Sequence, residues 1–295
     1  MRVMLIQGGT RSKETCPGKD TKLQYIIQQL KKEAPDDVEI DVLDLAVKGD
    51  GVIVQPCKGC IGTAGGYHCQ WRTAGVEGDE KVRGCTCYGP GSNSPDLPDL
   101  LHQEHAYYRM QQADAIMILS PIHWYNLSAP VLTMLSRLVC ASGTVPAEII
   151  AASHPEGSLK DAQHNVKLEE SKVFDQHYKN HLEGKIIGIW AQGDDGADDF
   201  QEGPFPKTFG TANREEFLEL SGNISNLVTY QVQKTFRYLG LYVPDNLVTV
   251  ETRNYKNDYA DNDKTFKSDE DFIESAKITF NALIAEIRLR KDDEG

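Results

Sequence analysis

The strongest constraint on the fold is an alternation of short apolar runs with amphipathic helical segments. An apolar run at residues 3–7 ends in Gly8 and Gly9 and is followed by a helical pattern over residues 20–33. Apolar and acidic residues then alternate over residues 38–43, which is typical of a half-buried strand. A strand–helix–strand unit of this kind predicts two parallel strands joined by a right-handed crossover.

The same alternation continues along the chain. It predicts further strands at residues 115–119, 185–191 and 247–250, and further helices at residues 100–112, 128–139, 214–239 and 270–290. We expect Ser120 and Pro121 to end the third strand. The pattern predicts an α/β fold with a doubly wound, five-stranded parallel sheet of order 2-1-3-4-5. A ligand of such a sheet lies beyond the carboxyl ends of the strands, which here lead into loops at residues 8–21, 120–127 and 191–203.

The charge balance narrows the class of partner. The 295 residues include 44 acidic and 31 basic side chains, a net charge of −13. Nucleic-acid binding needs clustered Lys and Arg, so a small-molecule partner is favoured. The longest strongly apolar stretches, residues 113–121 and 186–191, are shorter than the ~20 residues that span a bilayer. With no signal peptide visible before the first strand, we expect a cytoplasmic protein without a membrane partner.

The first of the three loops has the composition of a phosphate site. It reads Gly-Gly-Thr-Arg-Ser at residues 8–12 and leads to a helix start near Thr21. Hydroxyl groups, a guanidinium and a helix N-terminus all favour a bound phosphate. The dinucleotide fingerprint Gly-x-Gly-x-x-Gly is absent from this sequence, which favours a ligand with one terminal phosphate. The alternative is a polar turn with a helix cap.

The second loop is unusually aromatic. It reads Ser-Pro-Ile-His-Trp-Tyr-Asn-Leu-Ser-Ala-Pro at residues 120–130, directly after a predicted buried strand. Backbone groups near Ile122 are suited to the polar edge of a ring, while Trp124 or Tyr125 stacks on its face. Alternatively, Trp124 is a core anchor and Asn126 or Ser128 only caps the next helix. We expect a planar ligand.

Together with Met-Leu-Ser-Arg at residues 134–137, these loops resemble the NAD(P)H-dependent FMN reductases of flavodoxin-like fold, which include quinone oxidoreductases and iron–sulfur flavoproteins. The resemblance covers roughly residues 1–250. It implies bound FMN, electrons from NADH or NADPH, a small-molecule acceptor such as a quinone or free flavin, and a homo-oligomer. By this resemblance the FMN phosphate is held by Thr10, Arg11, Ser12 and Thr21. The ring is lined by Pro121, Ile122, His123, Trp124, Asn126, Gln192, Gly193, Asp194 and Gly196. Because the flavin carries the chemistry, no catalytic side chain is predicted.

The sequence departs from the family pattern in several segments. The first loop carries an extra stretch at residues 14–19, and the third loop is more acidic than expected beside an anionic cofactor. We divide the chain into an FMN-binding domain at residues 1–250 and a C-terminal helical extension at residues 251–295. The domain contains a Cys-rich insertion at residues 49–98 and a helical insertion at residues 141–183.

The Cys-rich insertion leaves three interpretations open. Iron–sulfur flavoproteins of this family carry four closely spaced cysteines at the corresponding place, but Thr63 stands at the third of those positions. The candidate metal ligands are Cys57, Cys60, Cys69, Cys85 and Cys87. They suit a [4Fe–4S] cluster or zinc, or they pack without metal. The corresponding alternative functions are an iron–sulfur flavoprotein electron carrier and a non-enzymatic zinc-stabilised module.

Overall fold

A computed structural model describes residues 1–10, 22–46, 54–57, 101, 106–123, 126–142, 182–193, 224–252 and 267–293. The strands are β1 (Arg2–Gln7), β2 (Glu39–Asp44), β3 (Ala115–His123), β4 (Asn126–Leu127), β5 (Ile186–Gly193) and β6 (Val248–Thr252). The helices are α1 (Lys22–Glu33), α2 (Ala106–Gln112), α3 (Ala129–Ser142), α4 (Ile224–Tyr238) and α5 (Glu270–Asp293), with a 3-10 turn at Asp245–Leu247.

The sheet has the predicted topology. Five parallel strands lie in the order β2-β1-β3-β5-β6. This is the order 2-1-3-4-5 when the parallel strands are numbered along the chain, so the flavodoxin-like prediction is confirmed. The short β4 adds an antiparallel pairing in which Ile122 faces Leu127 and His123 faces Asn126. The chain winds outward from β1 in both directions, so the topological switch point lies between β1 and β3.

The end predicted for the third strand was wrong. Ser120 and Pro121 do not break β3, which continues to His123 and pairs Pro121 with Gln192 of β5. The pairing of β3 with β1 ends earlier, at Leu119. The missing N–H of Pro121 therefore costs no bond to β1, which is the strand environment in which proline is tolerated.

Two helical layers cover the sheet because β1 is apolar on both sides. Val3 and Leu5 face one layer, and Met4 and Ile6 face the other. Helices α1 and α5 form the first layer, and α2, α3 and α4 form the second. Near-continuous apolar strands are typical of a parallel sheet buried on both faces.

Helix α5 is part of this packing. Trp190 of β5 is fully buried, its ring lies 5.1 Å from the Phe272 ring in an edge-to-face arrangement, and its Nε1 donates to Ser275 Oγ at 3.0 Å. Phe280 is also buried in this layer. The division of the chain at residue 250 remains a proposal, and α5 covers one face of the sheet.

Charged side chains of β1, β2 and α2 meet at Asp41. Asp41 of β2 accepts from Arg109 Nε at 3.0 Å and from Arg2 Nη2 at 3.1 Å. Hydrogen bonding from Arg109 holds the pKa of Asp41 below its usual value, with burial opposing the shift. This network joins β1, β2 and α2 by fixed charge pairs.

Candidate functional site

The carboxyl ends of β1, β3 and β5 lie side by side. Gln7 pairs with Leu119, Ser120 pairs with Ala191, and Pro121 pairs with Gln192. The three loops expected to carry the site therefore leave the sheet at one edge, next to the switch point. This is the edge at which open α/β sheets bind ligands.

Seven of the predicted cofactor-binding residues are described, and all follow or end these central strands. The half-buried ones are Thr10, Pro121, Ile122, Gln192 and Gly193, and the exposed ones are His123 and Asn126. The remaining predicted positions, which lie outside the described residues, are Arg11, Ser12, Thr21, Trp124, Asp194 and Gly196. The structure thus brings together the beginnings of the three predicted loops.

The first loop starts at Gly8, where the surrounding atoms leave little room for a side chain. The Gly8 N–H donates to the Leu119 carbonyl at 2.7 Å, and the Gly8 carbonyl accepts from the Ser128 hydroxyl. A Cβ on Gly8 would overlap the Val131 side chain and lie 3.2 Å from the Leu119 oxygen. The strand end is therefore held tightly against β3 and the first turn of α3.

A buried pair of serines makes this junction. The Ser128 N–H donates to Ser120 Oγ at 3.1 Å, and the Ser120 hydroxyl donates to the Pro121 carbonyl at 2.9 Å. Neither serine is exposed to solvent. We call Ser120, Ser128 and the Gly8 carbonyl the hydroxyl clamp. It ties the first loop, the second loop and the start of α3 together.

The N-terminal turn of α1 lies beside the first loop. A Cβ on Gly9 would lie 3.6 Å from Leu23 Cδ1, in the first turn of α1, and 2.7 Å from the Gln7 side-chain amide. The first turn of α1 contains no acidic residue. A helix N-terminus offers unpaired N–H groups and a positive dipole end, so this side of the edge suits an anion.

Asp44, at the end of the neighbouring strand β2, is engaged by the protein. With the Gln7 amide turned so that its nitrogen faces Asp44, Gln7 Nε2 lies 2.9 Å from Asp44 Oδ2. Asp44 Oδ1 also accepts the Ala46 N–H at 2.8 Å. Asp44 lies at the end of β2, outside the central strands, and the described residues at the ends of β1, β3 and β5 include no Asp, Glu, Lys or Arg.

The second and third loops touch at a glycine. A Cβ on Gly193 would lie 3.1 Å from Cβ of Ile122 and 3.2 Å from its Cδ1. Such distances are tighter than ordinary side-chain contacts, so with a larger residue at this position the Ile122 side chain or the end of β5 would have to shift. The contact fixes the separation of the two loops that were expected to line a flat ring.

One candidate metal ligand, Cys57, is described, and it is half-buried. Arg137 of α3 is buried, and its Nη1 donates to the Gln55 carbonyl at 3.0 Å, which ties residues 54–57 to α3. The other candidates lie outside the described residues: Cys60, Cys69, Cys85 and Cys87. Among the residues that are described, no three His, Cys, Asp or Glu side chains come together as a metal site.

Sequence reasoning missed the clamp and the Arg137 contact. Ser128 was weighed only as a helix cap, yet its hydroxyl donates to Gly8, far away in sequence. Ser120 was expected only to break a strand. The signal in the sequence was Ser120, a polar residue directly after an apolar strand. A buried hydroxyl group needs a hydrogen-bond partner, so this position indicated a contact with another part of the chain.

Comparison with solved structures finds similar proteins at low identity. No family model and no curated protein matches the chain. RosB with a bound 8-demethyl-8-formylriboflavin-5'-phosphate intermediate is 12% identical, with a TM-score of 0.45 over 99% of this chain and 81% of RosB. A structure described as a quinone reductase from Klebsiella pneumoniae is 14% identical, with a TM-score of 0.43 over 93% of this chain and 83% of that protein's chain. An archaeal flavodoxin is 9% identical, with a TM-score of 0.30 over 94% of this chain and 99% of its own.

Across the described ranges, no helix combines the length and the apolar character needed to cross a bilayer.

Proposed function

We propose that this chain is an FMN-dependent NAD(P)H oxidoreductase that passes electrons to a small acceptor such as a quinone or free flavin. The observation that carries the proposal is the meeting of the ends of β1, β3 and β5 at the switch point. Gly8 begins the first loop and Gly193 ends β5, and the described residues at these strand ends include no Asp, Glu, Lys or Arg. Such an edge suits a flat, largely neutral ring with a phosphate at one end.

The described residues fit both parts of FMN. On one side, Gly9 adjoins the N-terminal turn of α1, which suits a phosphate. On the other side, Pro121 and Gln192 are neighbours across β3 and β5, and Gly193 leaves the second and third loops in contact through Ile122. A ring lying against these loops would meet backbone groups and, among the described residues, no Asp, Glu, Lys or Arg side chain.

The residues expected to bind FMN divide by loop. We assign the phosphate to the first loop, with Thr10, Arg11, Ser12 and Thr21. We assign the ring to the other two, with Pro121, Ile122, His123, Trp124, Asn126, Gln192, Gly193, Asp194 and Gly196. When bound, FMN would supply hydride acceptance from the nicotinamide and electron delivery to the acceptor. The chain's own residues bind and orient the ring, and the homo-oligomer and the cytoplasmic location remain predictions.

The first experiment measures flavin binding. We expect the purified protein to bind FMN more tightly than FAD, and Arg11→Ala/Ser12→Ala to weaken FMN binding at least ~tenfold, because charge-assisted hydrogen bonds contribute ~1.5–3 kcal/mol each. The matched control, Lys31→Ala/Lys32→Ala, removes exposed charge from the last turn of α1 and should leave the dissociation constant unchanged. FAD as the preferred flavin, or unchanged FMN binding in the first variant, contradicts the phosphate assignment.

The second experiment separates this function from its alternatives. Iron, zinc and FMN are measured per chain in protein prepared without oxygen, beside Cys57→Ser/Cys60→Ser. A reductase without metal keeps FMN and NAD(P)H oxidation in both proteins. Stoichiometric iron that disappears in the variant would instead favour the electron-carrier hypothesis. A protein that contains zinc and binds no FMN would favour the non-enzymatic module.

A further inference from the structure

We propose that Ser128 is a positioning residue for the phosphate end of the cofactor, acting through the hydroxyl clamp. This inference rests on the proposed binding of FMN. Its basis is the hydrogen bond from the Ser128 hydroxyl to the Gly8 carbonyl, which joins the start of α3 to the start of the first loop across 120 residues of sequence. Ser128 itself need not touch the ligand.

The clamp fixes the direction of a backbone donor. The described residues contain no cis peptide bond, so the peptide joining Gly8 to Gly9 is trans, and its C=O and N–H point in opposite directions. Because the Gly8 carbonyl points at Ser128, the Gly9 N–H points away from α3. Gly9 adjoins the first turn of α1, and on this proposal its N–H serves the same phosphate as the helix N-terminus.

Gly8 has little freedom to reorient while the clamp is intact. Its N–H is bonded to the Leu119 carbonyl at 2.7 Å, and Val131 fills the space beside its Cα. Both clamp serines are fully buried, so water does not readily replace a lost hydroxyl. Removing the Ser128 hydroxyl would leave a buried carbonyl without this donor, and the Gly8–Gly9 peptide would rotate to find another.

The two loops should respond differently to this loss. Ser128→Ala keeps the backbone N–H that donates to Ser120 Oγ, and the Ser120 hydroxyl still donates to the Pro121 carbonyl. The base of the second loop is thus retained while the first loop is released. The effect of Ser128→Ala should therefore fall on the phosphate and not on the ring.

Riboflavin, which has the ring but no phosphate, separates the two contributions. Dissociation constants for FMN and riboflavin are measured by flavin fluorescence for the wild type, Ser128→Ala and Thr279→Val. Thr279 is a matched control because it is also buried, and its hydroxyl lies 2.7 Å from Thr249 Oγ1 between β6 and α5. We expect Ser128→Ala to lower the ratio of the riboflavin constant to the FMN constant about fivefold, the effect of one hydrogen bond. Thr279→Val should leave the ratio unchanged.

A merely structural serine would give another result. If Ser128→Ala weakens both ligands equally, or changes neither, the positioning role is refuted. If Ser128→Ala does not fold, Ser128→Cys is used, because its thiol keeps a weaker donor at the same position. The ratio of the riboflavin constant to the FMN constant for Ser128→Cys should lie between the wild-type ratio and a value about fivefold lower. An unchanged ratio in Ser128→Cys then refutes the inference. Wild type that binds neither flavin would overturn the proposed function itself.

Discussion

Replacing Gly8 with alanine should destabilise the protein by about 2–6 kcal/mol. The new methyl group would overlap the Val131 side chain and crowd the Leu119 oxygen and Ser128 Oγ, both at 3.2 Å. Overpacking of this kind costs about 1–3 kcal/mol. Moving the strand end to relieve it would also weaken the bonds from Gly8 to Leu119 and Ser128, at about 0.5–1.5 kcal/mol each.

Urea unfolding measures this cost, and a double-mutant cycle identifies its origin. Val131→Ala alone should cost about 1–3 kcal/mol through the cavity that it leaves. The variant Gly8→Ala/Val131→Ala should be at least about 1 kcal/mol more stable than the sum of the single effects predicts, because the second change removes the overlapping methyl groups. The slope of free energy against urea should stay constant, so that the midpoint reports stability.

Gly188→Ala is the matched control for this cycle. Gly188 also lies in a central strand, but the nearest heavy atoms to its added Cβ are 3.7 Å away. An added methyl group fits there, so Gly188→Ala should not destabilise the protein and should gain about 0.4–1 kcal/mol. If Gly8→Ala is tolerated as well as Gly188→Ala, or if the Gly8 and Val131 effects simply add, the close approach of β1 to α3 is not what excludes a side chain at Gly8.

Three further predictions concern the stability of the sheet and of the helices packed on it. Asp41→Asn should cost about 1.5–3 kcal/mol at neutral pH through loss of charge-assisted bonds from Arg109. The pKa of Asp41 in the folded protein lies below its usual 3.8, so the stabilisation by its carboxylate is present above pH 3.8 and is lost as the pH falls through the folded pKa. Urea unfolding should therefore show that the destabilisation by Asp41→Asn shrinks in acid. A destabilisation that does not change with pH contradicts this. Gly240→Ala should lower the thermal midpoint, since φ is +77° there and a left-handed backbone costs an alanine about 1–2 kcal/mol; an unchanged midpoint would refute it. Trp190→Phe should lower unfolding free energy by about 1–3 kcal/mol through loss of the Ser275 bond and of buried area, and equal stability would contradict that packing.

Element order and sheet order could be read from the chain because their signals are local. The apolar run at residues 3–7 and the helical spacing of Leu23, Ile26 and Leu30 are short-range patterns that survive in the fold. Strand-and-helix alternation then leaves few sheet orders, and the expected one was found. The composition of the loops predicted a phosphate and a planar ring, and FMN followed from the family resemblance; both stay predictions.

Contacts between distant residues required the tertiary structure. Whether Pro121 ends a strand depended on which side of β3 had a neighbour at that point, and β1 had already ended. Whether Ser128 caps a helix or holds the Gly8 carbonyl depended on how closely β1 approaches α3. Sequence specifies the hydrogen-bonding capacity of a serine, but its partner is decided by packing of elements far apart in the chain. The strand ends, the clamp and the glycine contacts at this edge are therefore properties of the folded sheet.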